Sequence, residues 1–438
     1  MSFPLESFVN SVKTLSSQGN LSCLYEFLEN SSDLLSKNTT HLETALAALE
    51  LGQHSLGILA LLLARFRAGS GAGEPAALDR QMAEFVEGCA VDQIRYAPDS
   101  YAELCHLYTK KLLERGKAIK GLRVLQKAIA KIQASPNQLT SIHSDLCHLA
   151  LSAKCFRPAL DVLDVDIADI SKENGKFEWR HLLLYYYYGG LIYAAVKQFE
   201  RALFCFEIYF SVPSLSLSHI MVEAFKKHIL LTLILRVETP PPKHCYSEVT
   251  RTTMGRRIRP LCVPYVELAT AFAQRSPEPL LAAVARHQEQ FARDQNAGLV
   301  KQVVASHHKM NIQRLTKTFV TLSLSDVAAR AQLPGPQKAE LHVLGMIEDG
   351  DIFASIDQRD GMVRFQDSPE QYAAPEMVAR LERELAQIMA LERRLQQLDE
   401  EIQLEPQYVQ KATKTQQEDD SGQACSSSQN NKVANNMM

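Results

Sequence analysis

Several features that would announce chemistry are missing from this sequence. Its 13 histidines include no H-E-x-x-H and no His pair with a distant carboxylate, the spacings that hold a catalytic zinc. His307 and His308 are adjacent, so on a helix they point in different directions. His143 and His148 flank Cys147 without a second ligand pair. No G-x-S-x-G elbow marks a hydrolase nucleophile. The glycines at Gly69, Gly71 and Gly73 follow no strand and precede no Gly-Lys-Ser/Thr, so they read as a flexible loop, not a phosphate cradle. No catalytic, cofactor-binding or metal-binding residues, and no cofactor, are expected.

Other scarcities bound the fold. One tryptophan and 19 glycines in 438 residues, among many leucines and alanines, disfavour a turn-rich β architecture. The nine cysteines contain no C-x-x-C pair and form no dense framework, so reduced thiols are expected. A net charge of −3 gives no general pull toward nucleic acid or anionic lipid. The longest apolar run, Leu56 to Ala64, is closed by Arg65 and is about half of a ~20-residue membrane span. The start, Met1 to Glu6, lacks the basic and apolar regions of a signal peptide. A soluble chain with no membrane contact is expected.

What is present is self-similarity. Gly116-Lys117-Ala118-Ile119-Lys120-Gly121-Leu122 places a turn before apolar residues at helical spacing, and the pattern returns from Lys154 to Leu163 and from Lys197 to Phe206. Fainter relatives run from Gly19 to Leu28 and from Pro279 to Val284. The three clear copies lie roughly 40 residues apart, the period of helix-pair solenoids. A small residue in each copy (Gly121, Ala159, Ala202) lets paired helices approach closely, and Pro158 fits a first helical turn, where its missing N–H costs nothing. Two breaks interrupt the rod, the Gly-rich loop around Gly71 and the stiff Pro240-Pro241-Pro242 segment. Four consecutive tyrosines, Tyr185 to Tyr188, would cover every face of a helix, part core and part contact surface.

The C-terminal third reads differently. Helices are expected over Asn311–Thr321, from Leu322 with Ser325 as N-cap, and over Gln337–Glu348; two short strands, Ile352–Ile356 and Met362–Phe365, then flank an Asp360-Gly361 turn. Three helices followed by a hairpin make a winged helix. Its third helix offers Lys338 but ends on Glu348, Asp349 and Asp351, so a DNA-reading role is set aside. Pairing with another protein through the hairpin is expected instead, with Ile352, Phe353, Ile356, Met362, Val363 and Phe365 as contact residues.

Beyond Pro375 a heptad emerges. Leu381, Ile388, Leu395 and Ile402 repeat every seven residues, and Leu391 and Leu398 fill the second seam position that Glu384 interrupts. Such a stripe requires a partner, either the rest of the chain or a bundle with other chains. After Pro406 the sequence is polar, is expected to be disordered, and carries Ser421 and Ser426 to Ser428 as candidate phosphorylation sites. The expected layout is mainly α: N-terminal TPR-like repeats over 1–196; a domain over 197–365 made of the last repeats and a winged helix at 309–365; a bundle helix over 374–403; a polar tail over 404–438.

Winged helix fused to helical repeats is the layout of the PCI family, which builds the proteasome lid, the core of translation initiation factor three and the COP9 signalosome. Asn137 to His143, Tyr185 to Gly190, Asn311 to Phe319 and Met346 to Ile356 resemble the subunit 3 family of the signalosome, and the likeness runs over nearly the whole chain. It departs in the loop near Gly71, around Pro240 to Pro242 with the Arg-rich stretch that follows, and at the tail. The resemblance implies a non-catalytic scaffold in the complex that removes Nedd8 from cullins and so controls cullin–RING ubiquitin ligases. It further implies winged-helix pairing and a shared helical bundle with signalosome subunits 1 and 8, and residence in cytoplasm and nucleus. A PCI scaffold of the proteasome lid or of initiation factor three is the alternative.

Overall fold

The computed structural model describes residues 3–38, 41–68, 75–212, 217–235, 254–274, 276–367 and 374–411. The expectations for Gly71, Pro240 to Pro242 and Ser421 lie outside these residues. Within them the chain is mainly a succession of α-helices that pack on one another in series. Pro98–Glu114 lies on Ser55–Ala68, Ala118–Ile132 on Pro98–Glu114, and Ile142–Ala153 on Ala118–Ile132. Trp179–Ala195, Phe199–Ser211, His219–Leu235 and Ala297–Thr316 continue the series. No described helix is long and apolar enough to cross a membrane.

The repeat is physical. Gly19, Gly116, Lys154 and Lys197 all have positive φ, and each sits in the turn that ends one helix and aims the next. Every copy with a Gly19-, Gly116-, Lys154- or Lys197-type start therefore begins on a left-handed residue, the conformation that reverses a helix most tightly. Inside the pairs the small residues are at the closest approaches. A Cβ on Gly121 would fall 2.5 Å from Leu112 Cδ1 and 2.7 Å from Leu149 Cδ1. Ala159 and Ala202 are fully buried, and Pro158 lies in the first turn of Arg157–Leu163. Of the four tyrosines, Tyr185 is core and the next three are half-buried.

Apolar side chains gather in consecutive clusters along the rod. The largest runs from Leu5 to Ile192; a second is built around Tyr193, Phe206 and Phe210; a third around Leu230, Tyr265, Phe291 and Val303; a fourth belongs to the winged module. Helix Ala297–Thr316 serves two of them, giving Val300 and Val303 to the third and Ile312 to the fourth.

Five strands are present among the described residues: β1 (Gln138–Leu139), β2 (Asp169–Ile170), β3 (Thr321–Ser323), β4 (Phe353–Asp357) and β5 (Met362–Gln366). β1 and β2 form a short parallel pair that ties two inter-helix loops together. The others form one antiparallel sheet in the order β3-β5-β4.

The winged module corrects the sequence reading in three places. Residue 309 falls inside the continuous helix Ala297–Thr316, so the module's first helix begins in the repeats. That helix stops at Thr316, and the β-branched and aromatic run Thr318 to Thr321 leads into β3, a strand the periodicity did not reveal. The N-cap of helix Leu324–Arg330 is Ser323, whose Oγ accepts the Asp326 N–H at 3.1 Å; Ser325 is inside the helix. The tail expected to be disordered from 404 opens with a further helical turn at 406–411.

Candidate assembly surfaces

Among the described residues no group of three or more His, Cys, Asp or Glu could hold a metal ion. His307 is buried with Nε2 on the Gln274 carbonyl at 3.0 Å, and His143 is buried among Thr140, Gln133 and Tyr185. Burial drives the His143 pKa down to about 4, and its Nδ1 accepts the Thr140 N–H, the arrangement of a neutral core imidazole.

The sheet of the winged module presents an open side. Phe365 donates its N–H to the Val320 carbonyl at 2.8 Å, so its backbone faces β3. Alternation along an antiparallel strand then turns Met362, Arg364 and Gln366 toward β4, where their register partners are Asp357, Ser355 and Phe353. The backbone groups of Ala354 and Ile356 point the other way, off the sheet. This is an edge able to receive a further strand.

The six expected hairpin contacts divide by side chain. Ile352, Val363 and Phe365 are buried in the module's own core, so they are not partner-facing side chains; the strand that carries two of them is central, with neighbours on both sides. Phe353 and Ile356 are half-buried, and Met362 is exposed. The sequence pattern found the apolar residues but not their face, because β3 was unseen and the hairpin was taken as two-stranded. The same module offers little to a phosphate backbone. Lys309 is held between Asp349 and Asp351, and Arg330 lies over the Phe319 ring at 4.5 Å.

The seam is a different kind of surface. It lies on one uninterrupted helix, Pro375–Leu404, none of whose residues is buried. Its six expected contacts range from 38% exposed at Leu398 to 61% at Ile388. Val378, Leu385 and Met389 are exposed as well, widening the stripe at the N-terminal half of the helix. An ion pair reaches back to β2 from the flank of the stripe, Arg394 to Asp169 at 3.9 Å. Missed by the sequence reading is the outward face of helix Pro336–Glu348, where Leu341 and Leu344 are exposed; single apolar residues on a short helix give no periodic signal.

Known proteins resemble the chain over most of its length. Residues 18–250 match the model of the N-terminal helical repeats of COP9 signalosome complex subunit 3, and residues 284–367 match the PCI domain. A COP9 signalosome complex subunit 3 from Drosophila melanogaster is 41% identical over 435 residues, covering 96% of this chain and 97% of that protein. One from Dictyostelium discoideum is 34% identical over 379 residues, covering 86% of this chain and 89% of the other.

Proposed function

The chain belongs to the COP9 signalosome subunit 3 family, and from that premise we propose that it works as a scaffold without an active site of its own. It is a signalosome subunit, and its partners are other signalosome subunits. The observation that carries the scaffold reading is the seam: a 30-residue helix with an apolar stripe and no buried residue. Each Leu or Ile side chain that a partner covers contributes about 1.5–3 kcal/mol. Six of them, each about half exposed, together supply a term of the same order as the cost of association.

Subunits 1 and 8 are the neighbours proposed for the free backbone edge at Ala354 and Ile356 and for the helical bundle. The assembled complex removes Nedd8 from cullins, with its catalytic zinc on another subunit. Cytoplasm and nucleus are the proposed locations. A proteasome-lid or initiation-factor scaffold is disfavoured because the repeat model matched over 18–250 is that of the signalosome subunit.

The test is reconstitution. Ile388→Asp with Leu395→Asp should leave a folded chain, by thermal melt, that no longer co-purifies with the other signalosome subunits. Normal incorporation of the double variant would sink the bundle reading. Cleavage of neddylated cullin by the pure chain would sink the non-catalytic one.

A further inference from the structure

A third surface lies in the N-terminal repeats, away from the sheet edge and the seam. A groove of about 600 Å³ runs between helices Leu21–Asn30, Ser55–Ala68 and Pro98–Glu114. That is the size of a ligand pocket, room for a few side chains. Leu28, Leu35, Leu59 and Ala60 line its floor. Glu29, Glu103 and Glu178 stand at its rim and the buried Asp99 and Glu173 in its wall, against Arg67, Lys176 and the imidazoles of His106 and His181.

Both cations are already committed. Arg67 forks onto Glu103 with bonds of 2.8 and 2.6 Å, and Lys176 bridges Asp99 at 2.6 Å and Glu29 at 3.6 Å. Those pairs occupy Glu103, Asp99 and Glu29 as well, so the carboxylates outnumber the cations chiefly through Glu178, exposed at the rim, and Glu173, buried in the wall. One wall is held in an unusual conformation: Glu173, Asn174 and Gly175 have φ of 43°, 54° and 82° in succession. Two consecutive non-glycine residues in the left-handed region are strained, and such strain persists only where surrounding contacts impose it. Here Asn174 Nδ2 bonds Asp99 Oδ1 at 3.2 Å, and Glu173, itself buried, accepts the Ser141 N–H at 2.8 Å. The wall is thus fixed in place before anything binds, which lowers the cost of docking.

We propose that this groove receives an amphipathic segment of a partner protein, with one or two large apolar side chains on the floor and adjacent lysine or arginine at the rim. Apolar floor and charged rim are the anatomy of a protein interface, and the excess carboxylate selects the sign of the guest.

A phage-displayed library of random twelve-residue peptides, panned on the full chain, tests it. Enriched peptides should combine Leu, Ile or Phe with Lys or Arg, and synthetic copies should bind in fluorescence anisotropy with an affinity that falls as salt rises. Ala60→Trp, which fills the floor, should weaken binding at least tenfold with an unchanged melt. Glu178→Lys, on an exposed rim position that leaves the floor intact, should weaken it several-fold and decides the matter if Ala60→Trp does not fold. An acidic or uncharged consensus, no enrichment, or binding indifferent to both variants would overturn the proposal. So would self-association of the chain that Ala60→Trp abolishes, since a second copy would then be the occupant.

Discussion

Two amphipathic helices in this chain have the same period and opposite fates. In Ala118–Ile132 the stripe of Leu122, Leu125, Ile129 and Ile132 is buried against the helices before and after it. In Pro375–Leu404 the stripe of Leu381, Ile388, Leu395 and Ile402 is exposed along its whole length. Periodicity reports that an apolar face exists. It does not report who covers it. What distinguishes the two helices is their neighbours in sequence: the first has a helix a short turn away on either side, whereas the second stands at the end of the series.

The sharpest way to break this contrast is to truncate one leucine from each stripe. Leu125→Ala should cost about 2–5 kcal/mol by leaving a cavity in the repeats. Leu395→Ala should change the stability of the isolated chain by less than about 0.5 kcal/mol. Urea unfolding of both variants checks the pair, and a comparable loss at Leu395 would place the seam in the chain's own core.

Acid should separate the regions next. Burial lowers the pKa of both His143 and His228 to about 4, against an ordinary value near 6.5. The unfolded chain therefore binds more protons between those limits. Stability is full above pH 6.5 and is lost as pH falls toward 4, by up to about 3 kcal/mol for each histidine. Urea midpoints should drop over that window, and His228→Phe should flatten the slope. Both histidines lie in the repeats, away from the terminal helix.

The sheet repeats the comparison on one strand. Ser355→Pro removes a donor that β4 gives to β5 and should cost about 2 kcal/mol or more. Ala354→Pro removes a donor that faces off the sheet, so the melt should move less while co-purification with one neighbouring subunit weakens. Equal destabilisation by the two would mean that the edge assignment is inverted.

Smallest is the effect at the turns. Lys154 and Lys197 hold the left-handed position that Gly19 and Gly116 hold in other copies. Lys154→Gly should stabilise the chain by up to about 1 kcal/mol, the relief of strain partly offset by the greater freedom of glycine when unfolded. A drop in melting temperature would show that the Lys154 side chain contributes more than its backbone costs.

Much of this architecture was legible in the residues. The copies beginning at Gly116, Lys154 and Lys197 expose the repeat because tight helix reversal and close helix approach restrict which residues fit. Asp360-Gly361 announces the hairpin, and Gly361 does have positive φ. What escaped detection has a common cause. β3 begins after the four residues that follow a helix and is three residues long, too short for alternation to show. The faces of Val363 and Phe365 depend on that strand, so they were assigned to a partner when their own module buries them. The groove near Tyr25 joins segments separated by roughly 150 residues, a juxtaposition that no local pattern encodes.

Helix Ala297–Thr316, with one end rooted among Val300 and Val303 and the other at Ile312, makes the rod and the winged module a single lever. A hinge there would require breaking the helix itself, so the last repeats and the sheet of the winged module move together. A partner that displaces those last repeats would carry the edge at Ala354 and Ile356 with them.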